Sequence, residues 1–105
     1  MVESTTTLEK IGLTKTEAKV YLTLLELGLS TTGPIVDKSG ASSSKIYEIL
    51  ERLIKKGLVG FVIKGKTRYF EAASPERILD YLEKKELAVQ NQKQEVQKLL
   101  PKLLL

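Results

Sequence analysis

The sequence contains no histidine, no cysteine and no tryptophan. The first two absences remove most of enzymology. Without imidazole, no unperturbed side chain titrates near neutrality to act as a base. Without thiols there is no thiolate nucleophile and no disulfide, and zinc, copper and haem lose their usual ligands together. No converging set of Asp, Glu, Lys, Tyr or Ser stands in for them, so we expect no enzyme, no cofactor and no metal. The missing cysteine fits a reducing compartment. No apolar run approaches the roughly 20 residues of a membrane span. The polar stretch Met1–Thr7 opens no signal peptide. The expectation is a cytoplasmic binder rather than a catalyst.

What is there is 105 residues, 42% apolar and 29% charged with both signs mixed, enough for one small domain with room for an appendage. The formal net charge is +4, and its placement is more informative than its size. Residues 1–30 carry −1, residues 31–58 and 59–73 carry +2 each, and residues 74–105 carry +1. A basic excess in the middle of the chain suits a polyanion, although so small an excess also fits an ordinary solvated surface.

Thr14-Lys15-Thr16-Glu17 is a capping-box pattern. Ala18, Tyr21, Leu22 and Leu25 follow at helical spacing, with Gly28 as a left-handed helix stop. Leu8 and Ile11 suit a short helical turn before it. Thr31-Thr32-Gly33-Pro34 opens a second helix that ends by Ser39-Gly40. A third starts within Ala41–Ser44 and runs to Lys56, with Ile46, Ile49, Leu50, Leu53 and Ile54 as its buried stripe. Two helices joined by so tight a turn read as a helix-turn-helix. The period then changes to two: Leu58–Ile63 is a strand, Lys64-Gly65-Lys66 a turn, and Thr67–Ala72 the returning strand. A three-helix unit followed by a β-hairpin has the order of a winged helix-turn-helix.

Ser74, as cap, and Pro75 start a last helix that nothing breaks before Pro101. Those 26 residues span about 39 Å. In heptads, positions Leu79, Glu86, Lys93 and Leu100 alternate with Leu82, Val89, Val96 and Leu103, six of the eight apolar. Such a stripe cannot be buried against so small a domain, so we expect pairing with a second chain through Leu79, Leu82, Val89, Val96 and Leu100. A single amphipathic helix folded back on the domain is the alternative. The expected architecture is α+β and mainly α: a winged helix-turn-helix over residues 1–73 and a C-terminal dimerisation helix over 74–105.

Gly60–Thr67 matches the phosphate-loop pattern G-x-x-x-x-G-K-[ST] letter for letter. The physics disagrees, because Phe61, Val62 and Ile63 belong in a strand and Arg68-Tyr69-Phe70 continues one rather than opening a helix.

The segment Leu13–Tyr21, with Ser39–Leu50, Leu53–Val59, Tyr69–Ala72 and Ser74-Pro75, resembles the TrmB-like transcription regulators over about residues 8–85. The resemblance implies a winged-helix DNA-binding domain of a largely archaeal, usually dimeric family. Two departures stand out. The family often has Pro-Arg where this chain has Ser42-Ser43. Many members also carry a large C-terminal sugar-binding domain that these 105 residues do not contain, so sugar sensing is not carried over and any effector stays unassigned.

In a helix-turn-helix the N-terminal turns of the second helix of the motif enter the major groove. That assigns Ser42, Ser43, Ser44, Lys45, Tyr47 and Glu48 to double-stranded DNA. The serines are short enough to approach phosphate or base edges, one of them being spent as the cap, and Lys45 is the best charged contact. Tyr47 either donates to a phosphate or lies half-buried against the wing. Glu48 repels phosphate unless it accepts from a cytosine amine. Lys64, Lys66 and Arg68 put three cations on the hairpin, for backbone or minor groove, or else as a solubilising tip guarding an edge strand. The leading reading is a dimeric, sequence-specific transcriptional regulator. The alternative is a winged helix used as a protein-interaction module, which explains Glu48 and Glu51 better.

Overall fold

A computed structural model of the protein describes residues 2–105. In it the Thr14–Glu17 pair forms both bonds of its capping box. The Glu17 amide donates to Thr14 Oγ1 at 3.0 Å, and the Thr14 amide donates to Glu17 Oε1 at 2.7 Å. This starts helix α2 (Lys15–Leu27), which follows α1 (Val2–Lys10), a longer element than the short turn predicted around Leu8. The sequence places Leu25 in the α2 stripe, yet it is exposed, while Val20 and Leu24 join Ala18 and Tyr21 inside. The buried arc is wide because α2 is the centre of the fold, with α1 and three later elements packed around it. After α2, Gly28 takes φ 73° and ψ −146°, a positive-φ conformation outside the expected left-handed helical form, while its amide donates to the Leu24 carbonyl at 2.9 Å.

Helices α3 (Thr32–Ser39) and α4 (Ile46–Lys55) make the helix-turn-helix, with Ile35 of α3 and Ile46, Ile49, Leu50 and Leu53 of α4 in the core. Helix α4 starts later than its serines suggest. Ser42 and Ser44 bond to each other through their hydroxyls at 2.8 Å, and the Lys45 amide donates back to the Ser42 carbonyl at 3.1 Å. The serines thus shape a turn, and Lys45 stands at the cap position with no side-chain cap bond, so no serine is spent there.

Strands β1 (Val59–Lys64) and β2 (Thr67–Ala72) pair antiparallel with Lys64 opposite Thr67. That leaves a two-residue turn, Gly65-Lys66. Only Gly65 has positive φ, 65°, which is the pattern of a type II′ hairpin and requires glycine at its first position. The register also disposes of the phosphate-loop match, since Gly60–Lys64 and Thr67 are strand residues. Ser30 adds a one-residue bridge on the free side of β2: its amide meets the Phe70 carbonyl at 2.8 Å and its carbonyl the Phe70 amide at 2.7 Å. The Tyr21 hydroxyl donates to the Ala73 carbonyl at 3.2 Å and ties α2 to the exit of the hairpin.

Helix α5 (Arg77–Leu103) is 27 residues long, and none of them is fully buried. It begins through three successive three-residue bonds, from Arg77, Ile78 and Leu79 to Ser74, Pro75 and Glu76, so Glu76 rather than Ser74 takes the cap position. Pro101 does not stop it. Proline's φ suits a helix and its missing donor costs one bond, while the Leu104 amide still reaches the Leu100 carbonyl at 2.9 Å. The helix docks by Ile78 and Tyr81, with Lys85 donating to the Ile11 carbonyl. Beyond that point it projects, and the molecule measures 58 Å along its longest axis.

Candidate nucleic-acid interface

The turn Ser42-Ser43-Ser44-Lys45 is exposed throughout, as are Tyr47 and Glu48 on the first turn of α4. Buried Ile46 and Ile49 anchor this end of the helix, so the polar residues between them are held outward on a fixed backbone. The Tyr47 ring meets Phe70 edge-on at 6.4 Å yet remains 55% exposed. It leans on the wing without being absorbed by it.

The three wing cations separate. Lys64 and Tyr69 share the outer face of the hairpin, with Lys64 Nζ 5.5 Å from the ring centroid, and Lys66 occupies the turn. Arg68 does not belong to the tip. It pairs with Ile63 in the register and lies on the inner face, two residues before buried Phe70. Its guanidinium stacks 4.0 Å over the Phe61 ring, and Nη2 donates to Glu51 Oε1 of α4 at 2.9 Å. Its Nε is buried with no hydrogen-bond partner among the described residues. Arg68 is therefore a strut between wing and α4. Strand alternation carries this signal: Arg68, Phe70 and Ala72 share one face.

A second strut lies beneath α4. Glu17 is almost wholly buried, and its Oε2 accepts from Lys56 at 2.9 Å and from Arg52 at 3.3 Å. Burial pushes this carboxyl upward. Hydrogen bonds from the Thr14 amide, Lys56 and Arg52 outweigh that and hold it below the ordinary carboxylate value. Sequence reasoning assigns Glu17 only its capping role, because partners 35 and 39 positions away leave no local trace. It also misses Lys19 of α2, which borders the same surface depression as Lys45, Ser42 and Arg52.

Pairing of the helical stripe needs a second chain, and Leu79, Val89, Val96 and Leu100 are all exposed on α5, with Leu82 half-buried. Among the described residues, no helix is long and apolar enough to cross a membrane.

The family described as sugar-specific transcriptional regulator TrmB matches residues 8–76. Over 73 residues the chain is 40% identical to the HTH-type sugar sensing transcriptional regulator TrmBL1 of Pyrococcus furiosus, covering 70% of this chain and 21% of that protein. Over 60 residues it is 43% identical to the uncharacterized protein YrhO of Bacillus subtilis, covering 57% of this chain and 22% of that one. The chain thus spans about a fifth of the length of these relatives. Among solved structures, that of TrmBL2, an archaeal chromatin protein, aligns with a TM-score of 0.72 at 24% identity, over 94% of this chain and 41% of the other. A probable transcriptional regulator from Pseudomonas aeruginosa aligns with a TM-score of 0.56 at 23% identity, over 90% of this chain and 80% of that one. At these identities the two structures speak for the winged-helix fold alone, whereas the match over residues 8–76 goes further: the chain belongs to the TrmB family of transcriptional regulators.

Proposed function

We propose that this chain is the double-stranded-DNA-binding part of a dimeric, sequence-specific transcriptional regulator. The N-terminal turn of α4 enters the major groove, and the wing rests on the backbone or in the minor groove. One observation carries the reading: Ser42–Lys45 and Lys64–Lys66 are exposed, while the nearby carboxylate of Glu51 is engaged by Arg68. The serines, Lys45 and Tyr47 contact phosphates or base edges, Glu48 accepts from a base amine, and Lys64 and Lys66 take backbone phosphates. Three serines and no arginine at the tip favour phosphate and shape contacts over base readout, so a single half-site is weakly specific. Dimerisation through Leu79, Leu82, Val89, Val96 and Leu100 joins two such halves, with two α4 helices about 34–36 Å apart on successive turns of the duplex.

Membership in the TrmB family of transcriptional regulators supports this reading, and the structural likeness to TrmBL2 supports the winged-helix fold on which it is built. The test is an electrophoretic shift on random duplex across a salt series, followed by selection of bound sites from a random library. Binding that weakens steeply with salt, with selected sites forming inverted repeats one turn apart, is the expected result. A protein-interaction module is the second reading. It is favoured by exposed Phe61, Val62 and Ile63 on the wing and by Glu48 beside the serines. Absence of any shift at low salt would select it.

A further inference from the structure

The flank of α4 that faces away from the wing carries more positive charge than the wing itself. Two adjoining depressions run along it. Lys19, Lys45 and Arg52 border the first; Arg52, Lys55, Lys56, Lys84 and Lys85 border the second. Arg52 belongs to both, so the cations form one band drawn from α2, α4 and α5. Seven of the chain's 17 basic side chains lie in it, and among the described residues no carboxylate lines either depression. Asp80 and Glu83 bound the band on the next face of α5, where Asp80 is held by Arg77.

Local structure explains only part of this. Arg52 and Lys56 serve Glu17, Lys85 holds the Ile11 carbonyl, and basic residues in the last turn of α4 offset its dipole. None of these roles needs Lys19, Lys45 or Lys84. Together with Lys55, these three have no ion pair among the described residues. Cations gathered from three elements repel one another, and a polyanion laid across them relieves that repulsion. The band begins at the Ser42–Lys45 turn and follows the 10 residues of α4, about 15 Å, to α5. A duplex presents a phosphate charge every 1.7 Å or so of its axis, so this length faces several.

We propose that the band seats the phosphate backbone of the same duplex that α4 enters, on the side of the groove opposite the wing. The sequence-independent part of binding is then carried chiefly by α2, α4 and α5 rather than by the hairpin. This rests on the reading that the serine turn meets double-stranded DNA, and the experiment separates the two.

The full chain is titrated by fluorescence anisotropy with a random duplex of about 30 base pairs, long enough for several phosphate contacts, over a range of salt concentrations. Lys19→Gln, Lys55→Gln and Lys84→Gln are combined, since these lysines hold no ion-pair partner among the described residues. The triple variant should flatten the slope of log affinity against log salt by about two to three units, each lost phosphate contact contributing about 0.9. Replacing the same three lysines by arginine should keep the wild-type slope. An unchanged slope in the glutamine variant, with a reduced one for Lys64→Gln plus Lys66→Gln, overturns the band and leaves the function reading intact. A flattened slope that arginine fails to restore also overturns it, by making the effect structural. If the wild type binds single-stranded RNA through these lysines but not the duplex, both readings fall.

Discussion

Lys56 Nζ lies 2.9 Å from Glu17 Oε2, so a buried carboxylate on the first turn of α2 holds the end of α4. Glu17 is 1% exposed while Lys56 and Arg52 retain 22% and 44% of their side-chain surface, which makes the carboxylate the member whose desolvation matters. Glu17→Gln keeps an oxygen for the Thr14 amide but removes the charge. It should cost about 1–3 kcal/mol at pH 7, measured by urea unfolding. Because the folded value lies below the ordinary 4.5, this stability is complete above that pH and disappears as pH falls through the lower, folded value. Wild type and variant should therefore converge in acid. A gap that stays constant down to about pH 3 would show that charge is not the cause.

Arg68 and the tip lysines should fail in different ways. If the tip lysines meet phosphate as proposed, Lys64→Ala with Lys66→Ala should flatten the salt slope by about one to two units. Arg68→Ala removes the guanidinium stacked on Phe61 and bonded to Glu51, leaving the wing loosely held. DNA affinity should then drop with little change in slope, and Arg68→Lys should not rescue it, because lysine lacks the planar face and fork. Anisotropy titrations at several salt concentrations distinguish the two. A slope reduced by Arg68→Ala as much as by the lysine pair would make Arg68 a phosphate contact after all.

The order of elements is legible in the sequence because each start and period is local: the Thr14–Glu17 box, the Ile46–Leu53 stripe, the switch to alternation at Val59. What escapes depends on contacts between distant segments. The Ser30 bridge is one residue long and has no period to read. Glu17 reads as a cap and nothing more, although its partners lie at the end of α4. Segment charge hides the basic band altogether, since Lys19 sits in a stretch of net −1 and Lys84 and Lys85 in one of only +1. Serines suggest too early a start for α4, because they read as caps, whereas a hydroxyl pair and a backward amide bond turn them into a loop. Arg68 is different, since its place is readable: its charge groups it with the tip, but counted by twos from Phe70 it falls on the inner face.

Gly12 should tolerate no side chain. Its φ of 116° is strained for an L-residue, and a Cβ there would stand 2.7 Å from Lys85 Nζ and 3.2 Å from the Tyr81 hydroxyl oxygen. Lys85 can swing aside, but the backbone cannot relax without moving the α1–α2 turn on which α5 docks. Gly12→Ala should cost about 1–3 kcal/mol in thermal or urea unfolding. Lys85→Ala, which removes the nearer of the two contacts but leaves the Tyr81 hydroxyl and φ as they are, should recover only a small part of that loss in the double variant. Full recovery would assign the cost to crowding rather than to backbone strain.

The projecting part of α5 carries the last expectation. Val89 and Val96 are 48% and 51% exposed on a helix with no fully buried residue, and Leu99, Leu100 and Leu103 continue the apolar surface toward its end. An isolated helix gains little from such a stripe in water, whereas pairing it with a second copy removes it from solvent. The stripe has polar breaks at Glu86 and Lys93, so in the proposed pairing each valine would carry a large share of the contact. Val89→Glu with Val96→Glu sets two carboxylates into the stripe; in analytical ultracentrifugation the wild type should sediment as a dimer and the variant, at the same concentration, as a monomer. Neither valine touches the core of the winged helix, so far-ultraviolet circular dichroism should keep the signal of residues 2–85 while losing helix from the end of α5. Affinity for a two-half-site duplex should fall by about tenfold or more, and affinity for a single half-site should barely change. A variant that still sediments as a dimer would rule out pairing through this seam.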